Sequence, residues 1–382
     1  MKKTNISALL LAALLLMQLL CTPVSAVTAE PAADAQADAQ TASDNSAGDA
    51  AAEADSVPED QLLSSWEQFS VAAKAALLID LNTNRVVYEQ DADERVYPAS
   101  LTKIMTCLIA LENGNLSDVV TVSESALADL DEDSSVAGLV VGEQMTLENL
   151  LYCMMVVSGN DACNVIAEHV AGSVTDFVRM MNQRAYELGC TNTHFNNPHG
   201  LHDESHYTTA RDLAIITQAA LKSENFRQIV DTYEYKLPDD NMRQNIPKLK
   251  TTNMLIYQSM SNSLYYPRAH GIKTGYTSQA GRCVISEATG DGLDLLGIVC
   301  GAATTVLDSG DLLMENFTEC ARLFDYGFDN YSYLTLMSPL YPVDQVKINN
   351  SAGAEAVAVA PEDEIKVLLP NDYDPVSYTH LT

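Results

Sequence analysis

Positive charge is what this sequence has least of. Its 382 residues carry 21 Lys and Arg against 52 Asp and Glu, a formal net charge of −31. Lys2 and Lys3 are the only charged residues ahead of Val27, so the remainder holds 19 basic and 52 acidic residues, net −33. A surface of that sign repels phosphate backbones and anionic lipid, so no nucleic acid is expected as a partner. No C-x-x-C occurs, which removes zinc knuckles and redox dithiols from consideration. No H-E-x-x-H occurs either. His199, His202 and His206, with Asp203 and Glu204, crowd one polar stretch without the helical spacing of a zinc site. No metal and no other cofactor is expected.

Cysteine is present but does not form a framework. Beyond Cys21 there are Cys107, Cys153, Cys163, Cys190, Cys283, Cys300 and Cys320, an odd number that cannot pair fully within the chain. Most sit in apolar periodic segments and read as small core residues.

The first 26 residues read as a secretory signal peptide: a basic start, an apolar run from Ile6 to Leu20, and small residues at Val24-Ser25-Ala26. Residues 27–65 hold nine acidic and no basic residues among Ala, Ser and Gln, the composition of a disordered linker. An exported, extracytoplasmic protein is expected, folded from about Trp66.

Two strands are predicted at Ala75–Leu81 and Arg85–Tyr88 around an Asn-Thr-Asn turn. Helical patterning follows. Leu101, Ile104, Met105, Leu108 and Ile109 form a buried stripe that stops near Gly114. Thr146 is placed to cap the next helix, and Ser158-Gly159-Asn160-Asp161 separates that helix from another. Further helices are expected at Phe177–Leu188 and Ala210–Leu221, with a polar loop over 194–208. From Gly271 the pattern turns to strands, at Gly271–Gly275, Cys283–Glu287 and Leu295–Cys300, before a helix over Leu312–Tyr326. Strands at both ends and helices between predict an α+β domain: an antiparallel sheet holding an inserted helical region, over 66–332. Residues 333–382 read as the start of a small β domain, with an ending that resembles adapter read-through and suggests truncation.

The chemistry begins at Ser100-x-x-Lys103. Residues three apart share a helix face, so the hydroxyl and the amine can meet. A lysine held in an apolar setting can be neutral and act as a base. Taken alone, the pair is equally a capped helix with a solvated lysine. Two further motifs follow in order, Ser158-Gly159-Asn160 and Lys273-Thr274-Gly275. Each alone is an ordinary turn or strand end; together they form a set.

That set resembles the signature of the penicillin-recognising serine peptidases and β-lactamases. The flanks Asn197-Pro198-His199-Gly200-Leu201, Thr209-Ala210-Arg211-Asp212 and Gly271 through Thr277 are similar to low-molecular-mass D-alanyl-D-alanine carboxypeptidases. The resemblance covers about residues 66–330. It implies a β-lactamase/transpeptidase-like fold and hydrolysis of the terminal D-alanine from peptidoglycan stem peptides, with β-lactams as inhibitors. It implies Ser100 as nucleophile, Lys103 as its base, and Ser158 as a proton relay bridging Lys103 and Lys273. Asn160 would hold the substrate backbone or Lys103, and Lys273 would lower the pKa of Lys103. Lys273 and Thr274 would bind the terminal carboxylate, and Gly275 would let substrate lie along its strand. Tyr276 and Thr277 would complete the substrate site, with the N–H groups of Ser100 and Tyr276 as an oxyanion hole. Family members often end in an amphipathic anchoring helix, so peripheral membrane association through a missing C-terminal helix is open. A class A-like β-lactamase, a D,D-transpeptidase and a silent wall-binding scaffold are the alternatives. The first would need a Glu-x-x-Asn loop, and the nearest candidate, Glu187 to Asn192, is wrongly spaced.

Overall fold

The strands come from two distant parts of the chain and meet in one sheet. In the computed structural model, which describes residues 69–128, 130, 134–306, 312–347 and 356–373, β1 (Ala75–Asp80) and β2 (Arg85–Gln90) form the first hairpin. β7 (Ala269–Thr277), β8 (Gly281–Gly290) and β9 (Leu293–Ala302) supply the rest, in the antiparallel order β2-β1-β9-β8-β7. The expected signal peptide, the acidic linker and the closing segment from 374 lie outside the described residues.

Both faces of the sheet are buried, and the side-chain period of two assigns residues to each. Ala75, Leu77 and Ile79 of β1, with Leu296, Ile298 and Cys300 of β9, face the larger core. Ala76 and Leu78, with Leu295 and Val299, face a smaller core that contains Phe317, Cys320, Leu323 and Phe324. The central strands therefore read as continuous apolar runs rather than as alternation.

The larger core is completed by helices inserted between β2 and β7: α1 (Lys103–Asn113), α2 (Glu124–Ala128), α3 (Leu147–Val156), α4 (Asn160–Ala171), α5 (Val174–Glu187), α6 (Ala210–Ala220) and α7 (Glu224–Val230). Their starts are written in the sequence. The side chains of Thr146, Ser173, Thr209 and Ser223 each accept the backbone N–H three residues on, in α3, α5, α6 and α7. Two short ribbons, β3 (Val119–Thr121) with β4 (Gln144–Thr146) and β5 (Glu234–Tyr235) with β6 (Leu249–Lys250), tie the connections together.

α8 (Glu315–Asn330) covers the smaller core. It starts later than expected, because Leu312–Met314 form β11 against β10 (Thr304–Val306). A three-residue apolar run carries no period that separates strand from helix. Beyond α8, β12 (Tyr331–Met337) pairs with β15 (Ile365–Pro370), and β13 (Asp344–Lys347) with β14 (Ala356–Val359). The expected boundary at 332/333 falls inside β12. Tyr333 donates to Asp80 Oδ2 at 2.5 Å, so a side-chain hydrogen bond ties β12, in its own two-stranded sheet, to the end of β1. All seven cysteines in the folded region are buried free thiols, as core residues should be.

Candidate active site

Ser100 is set by its backbone before any chemistry applies. It lies in a 3-10 turn, Ala99–Thr102, just ahead of α1. Ala99 holds φ at +47°, in the left-handed region that costs a non-glycine residue roughly 1–2 kcal/mol. Three contacts maintain it. The Thr102 hydroxyl donates to Ala99 O at 2.8 Å. Gly200 lies so close that a Cβ there would stand 1.8 Å from Ala99 O. A Cβ on Gly275 would meet Pro98 O and Ser100 N at 3.0 Å. The absent side chain of Gly275 thus lets β7 lie against the nucleophile turn itself, rather than only making room for substrate.

Lys103 Nζ is held at 2.9 Å from Ser100 Oγ, 2.7 Å from Asn160 Oδ1 and 2.8 Å from His199 O. The residue is fully buried. Burial, which penalises the charged form, brings its pKa from 10.5 to about 8, with Cys163 and Asp161 pulling it back up. A neutral amine has two N–H bonds and one lone pair. Two of its three partners are carbonyl oxygens, which only accept. Both N–H bonds are therefore committed, and the lone pair faces the one partner able to donate, the Ser100 hydroxyl. The geometry orients Lys103 as the base for Ser100.

The expected help from Lys273 differs. Burial alone dominates the shift at Lys103, while Lys273 is itself pushed far below its ordinary value by burial and then by the Lys103 charge. Lys273 is 1 % exposed, and its Nζ donates to Thr274 O at 3.0 Å. It stands behind the cleft wall rather than in it.

A cleft of about 690 Å³ opens in front of these groups. Ser100, Ser158, Asn160, Thr274, Gly275, Tyr276 and Thr277 all line it, so the structure brings together every residue singled out in the sequence except the two buried lysines, which back it. Ser158 holds φ at +63° and opens the segment into α4. Among the described residues, the hydrogen bonds of Lys103 and Lys273 go elsewhere, so the expected Ser158 bridge between the lysines is not formed here. Thr274 Oγ1 lies 2.6 Å from Thr252 Oγ1.

Other contributors carry little sequence signal. Asp161 accepts from Ala137 N and Leu139 N at 2.9 and 3.0 Å, fixing the loop over Ser158. The 194–208 loop, read as a polar loop near the cleft, is built in: Thr106 donates to Pro198 O at 2.6 Å, and His199 O holds Lys103. His199 and His206 are buried, and desolvation depresses them to about 3 and about 4. Both are neutral imidazoles at neutral pH, and no group of three metal-binding side chains occurs among the described residues.

The family model for D-alanyl-D-alanine carboxypeptidases, peptidase S11, matches residues 63–304. The chain belongs to the D-alanyl-D-alanine carboxypeptidase family. It is 37% identical over 284 residues to D-alanyl-D-alanine carboxypeptidase DacF of Bacillus subtilis, covering 72% of this chain and 67% of that one. DacC of Escherichia coli is 31% identical over 315 residues, covering 78% and 74%. Among solved structures, penicillin binding protein 5 from Haemophilus influenzae superposes with a TM-score of 0.63 at 29% identity, over 80% of this chain and 84% of that one. The Streptomyces K15 DD-transpeptidase does so with 0.60 at 29%, over 68% and 98%. These carboxypeptidase relatives confirm the family expected from the three motifs, and the penicillin-binding fold agrees with the observed sheet and helices. Among the described residues, no helix is long and apolar enough to cross a membrane.

Proposed function

We propose that this chain is a serine-type D-Ala-D-Ala carboxypeptidase that works through an acyl-enzyme on Ser100. Lys103 takes the Ser100 proton as the oxygen attacks the carbonyl of the penultimate D-alanine. The C–N bond breaks, and the leaving amine receives a proton through Ser158. Water then cleaves the ester and returns Ser100. The Ser100 and Tyr276 N–H groups stabilise the oxyanion. Stem peptides of peptidoglycan are the substrates, β-lactams acylate the same serine, and the protein acts outside the cytoplasm.

The observation that carries this reading is the buried Lys103 amine, held by the Asn160 and His199 carbonyl oxygens at 2.9 Å from the Ser100 hydroxyl. Among the described residues, none that lines the cleft is Asp or Glu. A class A β-lactamase needs a carboxylate to activate water against its acyl-enzyme, so slow release of β-lactam is expected, not rapid turnover. Incubation with a pentapeptide ending in D-Ala-D-Ala and with a penicillin separates the cases. Stoichiometric D-alanine release beside a persistent penicilloyl adduct supports the reading. Rapid loss of the β-lactam without D-alanine release overturns it, and transfer to an added amine in preference to water would make the protein a transpeptidase.

A further inference from the structure

Lys273 cannot reach far into the cleft, yet a substrate ending in a carboxylate needs a cation there. Among the described cleft-lining residues the one Lys or Arg is Arg282. It sits half-buried on β8, opposite Tyr276 on β7, with Cζ 4.8 Å from the Tyr276 ring centroid. Its Nε donates to Thr304 Oγ1 at 2.7 Å, which fixes the plane of the guanidinium. Its two Nη groups meet no acceptor among the described residues, and no described carboxylate forms an ion pair with it. That is notable in a chain with 52 acidic residues, where Arg184, Arg211, Arg227 and Arg243 are all ion-paired.

The surroundings favour an anion. The N-terminus of α8, which has no side-chain cap, contributes Met314, Asn316 and Phe317 to the same cleft. Asn316 is 2 % exposed; its Nδ2 donates to the Cys283 carbonyl, next along the chain from Arg282, at 3.3 Å. Its Oδ1 is buried without a partner. The nearest acidic side chain in the first turn of α8, Glu315, is engaged by the Thr305 hydroxyl. A planar fork with free Nη groups matches a carboxylate in geometry and charge.

We propose that Arg282 is the specificity residue that binds the free C-terminal carboxylate of the donor peptide. This rests on the carboxypeptidase reading. It moves direct carboxylate recognition from Lys273 to Arg282, with Thr274 beside it.

The test compares diacetyl-L-Lys-D-Ala-D-Ala with its C-terminal amide, for wild type, Arg282→Gln and Arg282→Lys. Expected for Arg282→Gln is a loss of about 10- to 100-fold in kcat/KM on the acid, the range of a charge-assisted hydrogen bond, with less than threefold on the amide. Arg282→Lys should fall between. Equal losses on both substrates, or none on the acid, would overturn the assignment. Acylation by benzylpenicillin and by its methyl ester reads the same discrimination without requiring D-alanine release. If wild type releases no D-alanine but Arg282→Gln still loses only the carboxylate-dependent acylation, the carboxypeptidase reading fails and the Arg282 assignment stands.

Discussion

Lys103 Nζ lies 2.7 Å from Asn160 Oδ1, and that amide oxygen is what a neutral amine requires. A carboxylate at the same place would hold the ammonium charged. Asn160→Asp is nearly isosteric, so the fold should survive. The expected result is a loss of 100-fold or more in the rate of Ser100 acylation at pH 7, with the alkaline limb displaced upward by at least one unit. Stopped-flow acylation by a chromogenic β-lactam across pH checks it. An unchanged limb would show that Asn160 serves substrate alone.

The pH profile of the wild type follows from the same group. Lys103 acts in its neutral form, and its pKa is lowered to about 8 by burial. The acylation rate constant should therefore rise with pH, reach half its plateau near 8, and level off above it. Lys103→Ala should remove the limb along with about three orders of magnitude in rate.

Gly200 is held against Ala99 O by the Asn197 side chain, which accepts Gly200 N–H at 2.6 Å. It has φ of +92° and no space for a Cβ, which would stand 1.8 Å from that oxygen. Gly200→Ala should destabilise by at least about 2–3 kcal/mol, through overpacking and a strained backbone together. It should also slow acylation in whatever protein remains folded, because the displaced turn carries Ser100 and the loop carries His199 O. Denaturant titration beside active-site labelling reads both effects.

His206 links the same turn to acid stability. Its Nδ1 accepts from Asn196 N at 3.2 Å, so its proton sits on Nε2, 2.9 Å from Thr102 Oγ1. The folded pKa is lowered from 6.5 to about 4, by burial first. The unfolded chain then binds the extra proton between these values, so stability is full above 6.5 and is lost as pH falls towards 4. The loss amounts to roughly 3 kcal/mol from this residue. His199, with its pKa lowered to about 3, adds in the same direction. His206→Gln should flatten the decline between pH 6.5 and 4.5 in chemical denaturation; parallel curves would assign the decline elsewhere.

How far the sequence could be read follows from the range over which each feature is determined. Ser100 and Lys103 share a helix turn, so local periodicity places them together. The cap at Thr146 is equally local, and the structure has it. The strands β1, β8 and β9 were visible as apolar runs, and their separation in the chain already implied an inserted helical region. What escaped depends on distant segments packing together. The 194–208 loop reads as polar, with Asn197–Leu201 as a family flank, yet nothing local shows that its Pro198, His199 and Gly200 backbone positions α1 and the nucleophile turn. Arg282 follows a turn glycine in an unremarkable strand start, and only the pairing of β7 with β8 turns it towards the cleft. The setting of Lys273 escaped for a related reason: charge is legible from sequence, but burial to 1 % exposure is not.

The central claim is that Ser100 is the acylated residue. Intact-protein and peptide mass spectrometry after incubation with benzylpenicillin tests it directly. The account predicts one penicilloyl adduct per chain, on the peptide containing Ser100, and none in Ser100→Ala. An adduct on another residue, or no adduct on folded wild-type protein, would contradict it.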